Sequence, residues 1–413
     1  MAEILFLAHR LPWPPDKGDK IRSFHLLRHL ANRHRVRLGA FVDDPADRDG
    51  ARNLSGLCAE LFLRPLGRPR LIRRALSGLV AGEPLSVAAY ADPAMHGWVR
   101  ERLRSCDLAL AFSGQSARFL LDPPSPLPWL LDLVDCDSEK WRALAASGRG
   151  PRRRLYAREA DRLLVFERRA VAAASKTFLV TRAEADLLVE RAPETGDRVA
   201  VLENGVDADF FAPERAGPDP WGEPGPPRLV FTGVMDYAPN VEAVRWLASE
   251  VLPRLRRTIG RVRFAIVGAQ PNRSVQRLAD PPDLLVTGRV PDVRPWLGHA
   301  DLAVAPLQIA RGVQNKVLEA MAMAKPVVAS SAAATGLHAQ PGRDFLVADG
   351  ALEATEAITA LLREPARARA IGAAGRLYVR RRHDWSATLA PLDAVVSALL
   401  ARPRRAIRAP LPC

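Results

Sequence analysis

Short apolar segments alternate with helical patterns along the whole chain, and this alternation constrains the fold more than any other feature. A strand predicted at residues 4–8 is followed by a Pro/Gly-containing loop, a helix over about 20–33 and a second strand at 36–41. Further apolar strand candidates lie at residues 108–112, 129–134, 177–180 and 199–202. Because strands separated by helices pair in parallel, the pattern predicts an α/β domain built on a buried parallel sheet.

A Pro/Gly-rich segment at residues 213–227 interrupts this alternation. Neither a helix nor a central strand tolerates that density of Pro and Gly, so we interpret the segment as a linker. The alternation then restarts, with strands predicted at 228–232, 263–267, 284–286, 302–305 and 327–329, and helices at 240–257, 313–324, 352–362 and 366–381. Asn240 is the N-cap that we predict for the first of these helices.

Two doubly wound domains of similar size follow from this pattern. We predict an N-terminal domain at 1–212, a linker at 213–227 and a C-terminal domain at 228–382. A last helix at 383–401 is predicted to pack back towards the N-terminal domain. Since ligands bind at the carboxyl ends of parallel strands, we expect a ligand in a cleft between the two domains.

Composition excludes several classes of protein. The chain has 413 residues, is 48% hydrophobic and carries a formal net charge of +14. Most of the basic residues are Arg, so we favour a soluble enzyme with an arginine-rich surface over a protein whose charge serves to bind a polyanion. Nucleic-acid binding is a remote alternative, because the basic segments contain few aromatic residues for base stacking.

Cysteine spacing and hydropathy limit the cofactors and the location that we expect. The cysteines at positions 58, 106, 136 and 413 form no C-x-x-C pair, so the sequence supports neither a zinc or iron–sulfur site nor a disulfide scaffold. The first residues lack the features of a signal peptide, and no run of 18 apolar residues occurs. We therefore expect a cytoplasmic protein, with peripheral contact to the inner face of the cytoplasmic membrane as an option.

Residues 312–329 (GVQNKVLEAMAMAKPVVA) form the most informative segment, in which a glycine loop opens a helix and a strand follows. The amide groups and the dipole at a helix start favour an anion. Lys316 lies in the first turn, and Glu319, three residues on, shares its face. A cation for a diphosphate beside a carboxylate for sugar hydroxyls suits a nucleotide-sugar site. The alternative is a surface Lys–Glu pair on an amphipathic helix.

This segment resembles the donor-site signature of GT-B glycosyltransferases of family 4, written as E-x7-E ahead of a P-V-V run. Four other segments resemble the family's motifs and follow one another along the chain in the expected order. They are 181–184 (TRAE), 202–207 (LENGVD) with Phe210 and Phe211, 231–233 (FTG) and 304–306 (VAP). Within the family, residues 13–22 (WPPDKGDKIR) and 312–316 (GVQNK) resemble the sugar transferases associated with exosortase (PEP-CTERM) exopolysaccharide loci.

The resemblance implies a GT-B fold, in which two Rossmann-like domains face each other across a cleft. It also implies retention of anomeric configuration, no obligatory metal and no cofactor besides the nucleotide-sugar substrate. Glu319 matches the Glu that holds the nucleotide ribose, and the backbones of Gly312 and Val313 match positions that contact the donor. Gly233 follows the first strand of the donor domain, and Lys316 lies where a cation neutralises the leaving diphosphate.

Two departures from the family pattern concern the donor site. The first Glu of the signature is replaced by Arg311, which can bind a phosphate or a carboxylate but cannot accept hydrogen bonds from sugar hydroxyls. Residues 233–240 (GVMDYAPN) lack the Arg and Lys that clamp the diphosphate in many relatives. We hypothesise that Arg311 and Lys316 do the clamping together; the rival hypothesis is that Arg311 binds an acidic donor sugar. Ala324 replaces a usual glycine, which predicts a helix end without a left-handed cap.

On the acceptor side we single out the loop that precedes the first helix. Gly18 lets the backbone approach a ligand, and Lys20 and Arg22 are candidates for a phosphate on the acceptor or the donor. The alternative is a tight turn before a solvated helix. Asp135 is our candidate for orienting or deprotonating the acceptor hydroxyl, and capping of the next helix is its alternative. His9 is interpreted as structural.

Two arginine-rich segments carry apolar residues at helical spacing. One runs from 149 to 169, with Tyr156, Ala160, Leu163, Phe166 and Ala170 on one stripe. The other covers 64–74 and continues to Leu76, Leu79 and Val80. Such helices can lie on anionic lipid, although core packing with a solvated arginine face is the interpretation that we favour.

The sequence thus predicts a hexosyl-transferring enzyme that moves a sugar from a nucleotide sugar to a glycan or lipid-linked acceptor in exopolysaccharide or cell-surface glycan synthesis. A non-catalytic GT-B-like binding protein is the alternative.

Overall fold

The computed structural model describes residues 1–15, 17–44, 50–147, 150–310 and 313–401. Contacts between residues divide the chain into two units, one formed by residues 1–203 with the segment from Leu389 onwards, the other by Asn204–Thr388. Each unit contains one parallel sheet.

The first unit contains seven strands: Glu3–Ala8 (β1), Arg35–Val42 (β2), Glu60–Pro65 (β3), Leu108–Phe112 (β4), Trp129–Val134 (β5), Lys176–Leu179 (β6) and Val199–Val201 (β7). Its helices are Gly18–Ala31 (α1), Ala51–Leu54 (α2), Arg68–Val80 (α3), Leu85–Ala88 (α4), Pro93–Arg102 (α5), Gly114–Leu121 (α6), Asp137–Ser147 (α7), Pro151–Ala173 (α8) and Arg182–Arg191 (α9). A 3₁₀ turn covers Pro193–Arg198.

The second unit contains six strands: Arg228–Thr232 (β8), Arg263–Val267 (β9), Leu284–Gly288 (β10), Leu302–Ala305 (β11), Val327–Ala329 (β12) and Leu346–Val347 (β13). Its helices are Ala238–Trp246 (α10), Leu252–Ile259 (α11), Arg273–Gln276 (α12), Arg294–Gly298 (α13), Asn315–Ala322 (α14), Ala351–Arg363 (α15) and Pro365–Arg382 (α16). The last helix, Trp385–Leu400 (α17), begins in this unit and ends in the first.

The two sheets share one strand order over six strands, and the first sheet has a seventh strand at its edge. The first is β3-β2-β1-β4-β5-β6-β7 and the second is β10-β9-β8-β11-β12-β13, with every described ladder parallel. In each case the order reverses beside the first strand, so that loops leave in opposite directions from neighbouring strands. This reversal creates the crevice at the carboxyl ends of the strands in which doubly wound domains bind ligands.

The central strands are buried on both faces, which explains their continuous apolar sequences. In β4 and in residues Leu229–Thr232 of β8 every residue is buried, and Phe6, Phe112, Phe231 and Phe264 are among the largest fully buried side chains. Each unit has its own apolar core, built from the sheet and the helices that cover it.

The Pro/Gly-rich segment that we predicted as a linker lies within the second unit. Trp221 is buried there, packs against the tilted Trp296 ring at 5.5 Å between ring centroids, and donates from its indole N–H to the Trp296 carbonyl. Arg228 binds the Asp219 carboxylate at 2.6 Å. The structure divides the chain at Glu203/Asn204, ahead of this segment, because the segment packs on the second core.

Three local predictions differ from the structure. The predicted helix 240–257 begins at Ala238 and contains a π-helical turn at Leu247–Val251, just before Pro253, whose missing N–H prevents a regular ladder. Asn240 is therefore not the N-cap, a position that Tyr237 occupies. Ala324 does adopt the left-handed conformation, with φ of 54°, so the prediction of a helix end without that cap was wrong.

Candidate functional site

In the second unit, the sheet order reverses between β8 and β11. Gly233 follows β8 directly, and the segment after β11 leads into α14, which carries Lys316 and Glu319. The predicted donor residues 233, 316 and 319 are thus brought to the carboxyl edge of one sheet, at its switch point. Arg311 and Gly312 lie outside the described residues, and Val313 is half-buried against the second core.

Gly233 allows two side chains to approach the end of β8. Its φ is 155°, and a Cβ there would lie 2.7 Å from Asn240 Nδ2 and 3.4 Å from Lys316 Cε. The neighbouring loop is equally close, because a Cβ on Gly268 would lie 1.7 Å from the Gly233 carbonyl oxygen. Any larger residue at either position would displace this arrangement, so both glycines are required for the close approach at the end of β8.

Asn240 holds Lys316 in place. The Lys316 ammonium donates to Asn240 Oδ1, while Asn240 Nδ2 donates to the Val234 carbonyl at 2.9 Å. The ammonium nitrogen also lies 4.7 Å from the centroid of the Phe231 ring. Asn240 itself is buried. A hydrogen bond and a cation–π contact therefore fix the position of the Lys316 charge.

Burial shifts both titratable groups of α14 towards their neutral forms. Desolvation lowers the pKa of Lys316 to about 8, although the Glu319 charge opposes this shift. Desolvation likewise raises the pKa of Glu319 to about 7, against the opposing effect of Lys316. These pKa values argue against the alternative that Lys316 and Glu319 form a solvated surface ion pair. Perturbed pKa values of this kind concentrate at functional sites.

In the first unit, the carboxyl edge of the sheet carries a polar cluster. His9 and Arg10 follow β1, Asp43 follows β2 and Asp19 lies in the first turn of α1. Asp19 Oδ2 lies 3.3 Å from His9 Nε2 and 2.9 Å from Arg10 Nη1, and Arg10 Nε lies 2.9 Å from Asp43 Oδ2. Although burial alone would raise it, these contacts with His9 and Arg10 lower the pKa of Asp19.

His9 is fixed on several sides. Its ring stacks on Phe112 at 5.8 Å between centroids and meets the Tyr90 ring edge-on at 6.2 Å. The sequence offered no sign of the His9–Asp19 contact, since nine residues, most of them in a loop, separate the two. Because the contact places an oriented imidazole beside the switch point of the first sheet, His9 joins the candidate acceptor-side residues.

The predicted acceptor residues of α1 have different surroundings. Gly18 begins α1, where a Cβ would meet no atom within 4 Å. Arg22 is only 1% exposed and forms a bidentate ion pair with the fully buried Asp132, with Nε 2.9 Å from Oδ2 and Nη2 3.2 Å from Oδ1. Lys20 is also 1% exposed. Arg22 therefore supports the end of β5, which is at odds with direct contact to a ligand phosphate.

Asp135 follows a strained turn at the end of β5. Val134 has φ of 70°, a conformation that a β-branched residue rarely adopts, and the Asp135 N–H donates to the Leu133 carbonyl across it at 3.0 Å. Partial desolvation, together with the nearby Glu184 and Asp137 carboxylates, raises the pKa of Asp135. An exposed carboxylate next to a strained residue such as Val134 suits a functional role.

The alternative role of Asp135 as a helix cap does not agree with the hydrogen bonds. The Cys136 and Ser138 amides donate to Glu184 Oε2 at 2.9 Å and to Glu167 Oε1 at 3.1 Å. Carboxylates from α9 and α8 therefore satisfy the start of α7, and within the described ranges no hydrogen bond joins the Asp135 side chain to that helix start.

Two negative observations concern the described residues alone. Among them, no group of three or more His, Cys, Asp or Glu side chains is arranged to hold a metal ion. Within the same ranges, no helix has the length and apolarity needed to cross a bilayer.

Comparison with known proteins identifies the fold. Residues 226–364 match the family described as "Glycosyl transferases group 1". Anabaena Alr3699/HepE in complex with UDP is 15% identical, with a TM-score of 0.66 over 96% of this chain and 100% of the other. Sucrose-phosphate synthase (tll1590) from Thermosynechococcus elongatus is 18% identical, with a TM-score of 0.68 over 97% and 100%.

A third similar structure is described as E. coli trehalose-6-phosphate bound with UDP-2-fluoro glucose; it is 13% identical, with a TM-score of 0.64 over 97% of this chain and 100% of that chain. No curated protein matches the sequence. The two parallel-sheet units and these neighbours establish the GT-B fold, as predicted. The second unit carries a glycosyl transferases group 1 domain, and that domain supports glycosyl transfer as the class of activity.

Proposed function

We propose that this protein is a retaining, metal-independent glycosyltransferase that moves a hexosyl group from a nucleotide sugar to a glycan or lipid-linked acceptor. One observation carries the proposal: Asn240 holds the Lys316 ammonium at the switch point of the second sheet, inside the glycosyl transferases group 1 domain. A fixed cation at that position suits the negative charge of a nucleoside diphosphate.

The proposed roles on the donor side follow from charge and burial. Lys316 neutralises the diphosphate, and Glu319 accepts hydrogen bonds from the ribose hydroxyls. The backbones of Gly233, Gly312 and Val313 contact the donor. HepE and the E. coli protein are described with UDP and UDP-2-fluoro glucose, so UDP-sugars are the first donors to test.

The proposed reaction needs no second carboxylate at the reacting carbon. The acceptor oxygen forms a bond to the anomeric carbon on the face from which the diphosphate oxygen departs. The acceptor proton passes to that departing oxygen, and the bonding electrons leave with the diphosphate. The protein mainly stabilises the charge that develops on the leaving group, an effect worth about 3 kcal/mol for a single donor.

On the acceptor side, Asp135 orients the hydroxyl or receives its proton transiently. Its exposed position after the strained Val134 turn and its raised pKa support this role. Gly18 leaves room for the acceptor at the start of α1.

Arg311 is proposed to share the diphosphate with Lys316, in place of the clamp residues absent from the segment after β8. The rival role for Arg311 is binding the carboxylate of an acidic donor sugar. If Arg311→Ala loses no more activity than a substitution of the exposed Arg257, both roles fall.

A donor screen tests the proposed function. Purified protein is incubated with UDP- and GDP-sugars, including uronate-bearing donors, and with a lipid-diphosphate-sugar acceptor, while released nucleoside diphosphate is measured. We expect acceptor-dependent release with one donor and a roughly hundredfold lower kcat for Lys316→Ala. Donor binding without turnover for any acceptor would instead favour a non-catalytic binding protein, the candidate suggested by the missing clamp residues.

The biological setting proposed from sequence resemblance is exopolysaccharide or cell-surface glycan synthesis, in a locus of the exosortase (PEP-CTERM) type. A cytoplasmic location agrees with the use of nucleotide sugars. Deletion of the coding sequence, followed by analysis of the surface polysaccharide, tests this setting.

A further inference from the structure

Helix α3 has a clearly defined inner face. Leu71 packs against the first core, and Arg74 Nη2 lies 2.7 Å from Asp92 Oδ2. Gly78 is buried so closely against α4 that a Cβ there would lie 2.2 Å from the Ala88 Cβ. These contacts hold the helix in one orientation, so its opposite face is well determined.

The outer face of α3 is apolar and exposed. The relative exposures are 56% for Ile72, 58% for Leu76, 41% for Leu79 and 91% for Val80. Their spacing of i, i+4, i+7 and i+8 places all four on one side of the helix. Core packing, the interpretation that the sequence favoured for such stripes, therefore fails for α3.

The other arginine-rich helix shows the opposite behaviour. In α8 the predicted stripe is core, since Ala160, Leu163, Phe166 and Ala170 are buried. Two large apolar side chains of α8 lie outside this stripe and are exposed: Leu155 at 41%, beside Arg152, Arg153 and Arg154 at the start of the helix, and Val165 at 64%, further along it. The predicted stripe of α8 is therefore core packing, whereas the apolar face of α3 is exposed, as contact with lipid requires.

The start of α8 lies beside the end of α3. Arg158 Nη2 donates to the Leu79 carbonyl at 3.3 Å and to the Glu83 carbonyl at 3.2 Å. The outer face of α3 and residues 151–155 of α8 therefore belong to one surface, which we call the α3–α8 surface.

The charges on the α3–α8 surface have one sign. Arg68 and Arg73 border the apolar stripe on α3, Arg70 lies further round the helix, and no Asp or Glu occurs between Arg68 and Val80. Residues 151–155 add three arginines and no acidic residue. The nearby Glu83 carboxylate is paired with Arg118 at 3.3 Å.

We propose that the α3–α8 surface docks the protein onto an anionic lipid bilayer. The apolar side chains enter the boundary between headgroups and acyl chains, while the arginines bind lipid phosphates, as in interfacial amphipathic helices. A second copy of this chain fits less well, because two such surfaces would bring arginines together. Nucleic acid fits less well because the exposed side chains of the stripe are aliphatic and cannot stack on bases.

Docking gives the proposed glycosyl transfer direct access to a lipid-linked acceptor. The purpose of docking rests on the proposed function, but the docking itself does not, so the two can be tested separately.

Sedimentation with vesicles tests the proposal on the full chain. Wild-type protein is compared on phosphatidylglycerol-containing vesicles and on pure phosphatidylcholine, at low and high salt. The double variants are Ile72→Glu/Leu76→Glu and Arg70→Glu/Arg73→Glu. The matched controls alter exposed residues of the second unit: Leu352→Glu/Leu377→Glu and Arg254→Glu/Arg257→Glu.

We expect salt-sensitive binding to the anionic vesicles and at least tenfold weaker binding to the neutral ones. Each basic residue near an anionic surface contributes about fivefold to partitioning, so the arginine variant should bind at least 25-fold more weakly. The Ile72/Leu76 variant should lose at least tenfold, whereas both controls should bind as wild type does.

Several results would overturn the proposal. The wild type could bind neutral vesicles as tightly as anionic ones. Both α3 variants could bind anionic vesicles as tightly as the wild type, or the control variants could lose as much binding as the α3 variants. The absence of vesicle binding would also overturn it, whether α3 then mediates a dimer seen by ultracentrifugation or binds an oligonucleotide.

Turnover of a water-soluble acceptor analogue separates this proposal from the proposed function. Full turnover in a wild-type protein that does not bind vesicles refutes the docking surface alone. Vesicle binding lost only in the α3 variants, in a protein without turnover on any donor, supports docking and counts against the proposed function.

Discussion

Replacing Glu319 by Gln is expected to stabilise the second unit and to remove activity at the same time. Glu319 is half-buried on α14, and desolvation raises its pKa from 4.5 to about 7 despite the opposing effect of Lys316. One pKa unit corresponds to about 1.4 kcal/mol, so the full shift would be worth about 3.5 kcal/mol. Because Glu319 is partly exposed and solvent screens its charge, ionised Glu319 destabilises the folded state by about 2–3 kcal/mol. Gln keeps the shape of the side chain without the charge.

The stability gained by Glu319→Gln is expected to increase with pH. A carboxyl whose pKa is raised on folding binds more protons in the folded than in the unfolded state between the two pKa values. Its contribution to stability therefore falls as the pH rises from about 4.5 to about 7. The gain from Glu319→Gln should be close to zero near pH 4.5 and complete by pH 8.

Thermal unfolding at several pH values measures the effect. A gain of about 2–3 kcal/mol should raise the Tm of the second unit by about 4–10 °C at pH 8. Glu356→Gln, at an exposed position on α15, is the matched control and should leave the Tm unchanged. A Glu319→Gln variant with wild-type Tm at pH 8, or with a gain that does not depend on pH, would refute the reasoning.

Three further predictions follow from the same region. The pH profile of kcat/KM should be a narrow bell with apparent pKa values near 7 and 8, because the donor requires ionised Glu319 and protonated Lys316; a flat profile between pH 6 and 9 would contradict this. Asn240→Ala should lower kcat about tenfold by releasing the Lys316 ammonium, whereas Asn240→Asp should move the alkaline limb to higher pH; an unchanged limb in the Asp variant would show that Asn240 is only structural. Ala324→Gly should raise stability by about 1 kcal/mol, measured by urea unfolding, because a left-handed Ala is strained; a loss of stability would count against that conformation.

The sequence predicted the central strands well because they are buried on both faces. The bounds predicted for β4, β5, β8, β9, β11 and β12 agree with the structure, since continuous apolar runs identify them. Strand β3 was missed because it lies at the sheet edge, is half-buried and contains Arg64 within a basic segment. The two-residue strand β13 is too short to give a pattern.

The candidate site was predicted where its residues share one element or, as for Gly233, directly follow a predicted strand. Lys316 and Glu319 lie on α14 and were found by their spacing. Asn240 was misassigned as a cap because its partner Lys316 is 76 residues away, and only the sheet order brings them together. The His9–Asp19 contact and the Arg22–Asp132 pair depend on loop and sheet geometry in the same way.

Binding of nucleotides to the wild type and to Lys316→Ala tests most directly whether the second sheet's switch point holds a nucleoside diphosphate. Titration calorimetry compares UDP with UMP, and GDP with GMP, for both proteins. We predict that the wild type binds one diphosphate at least tenfold more tightly than its monophosphate, and that Lys316→Ala loses this preference. Equal affinity for diphosphate and monophosphate in the wild type, or a preference that survives in Lys316→Ala, would contradict the central claim.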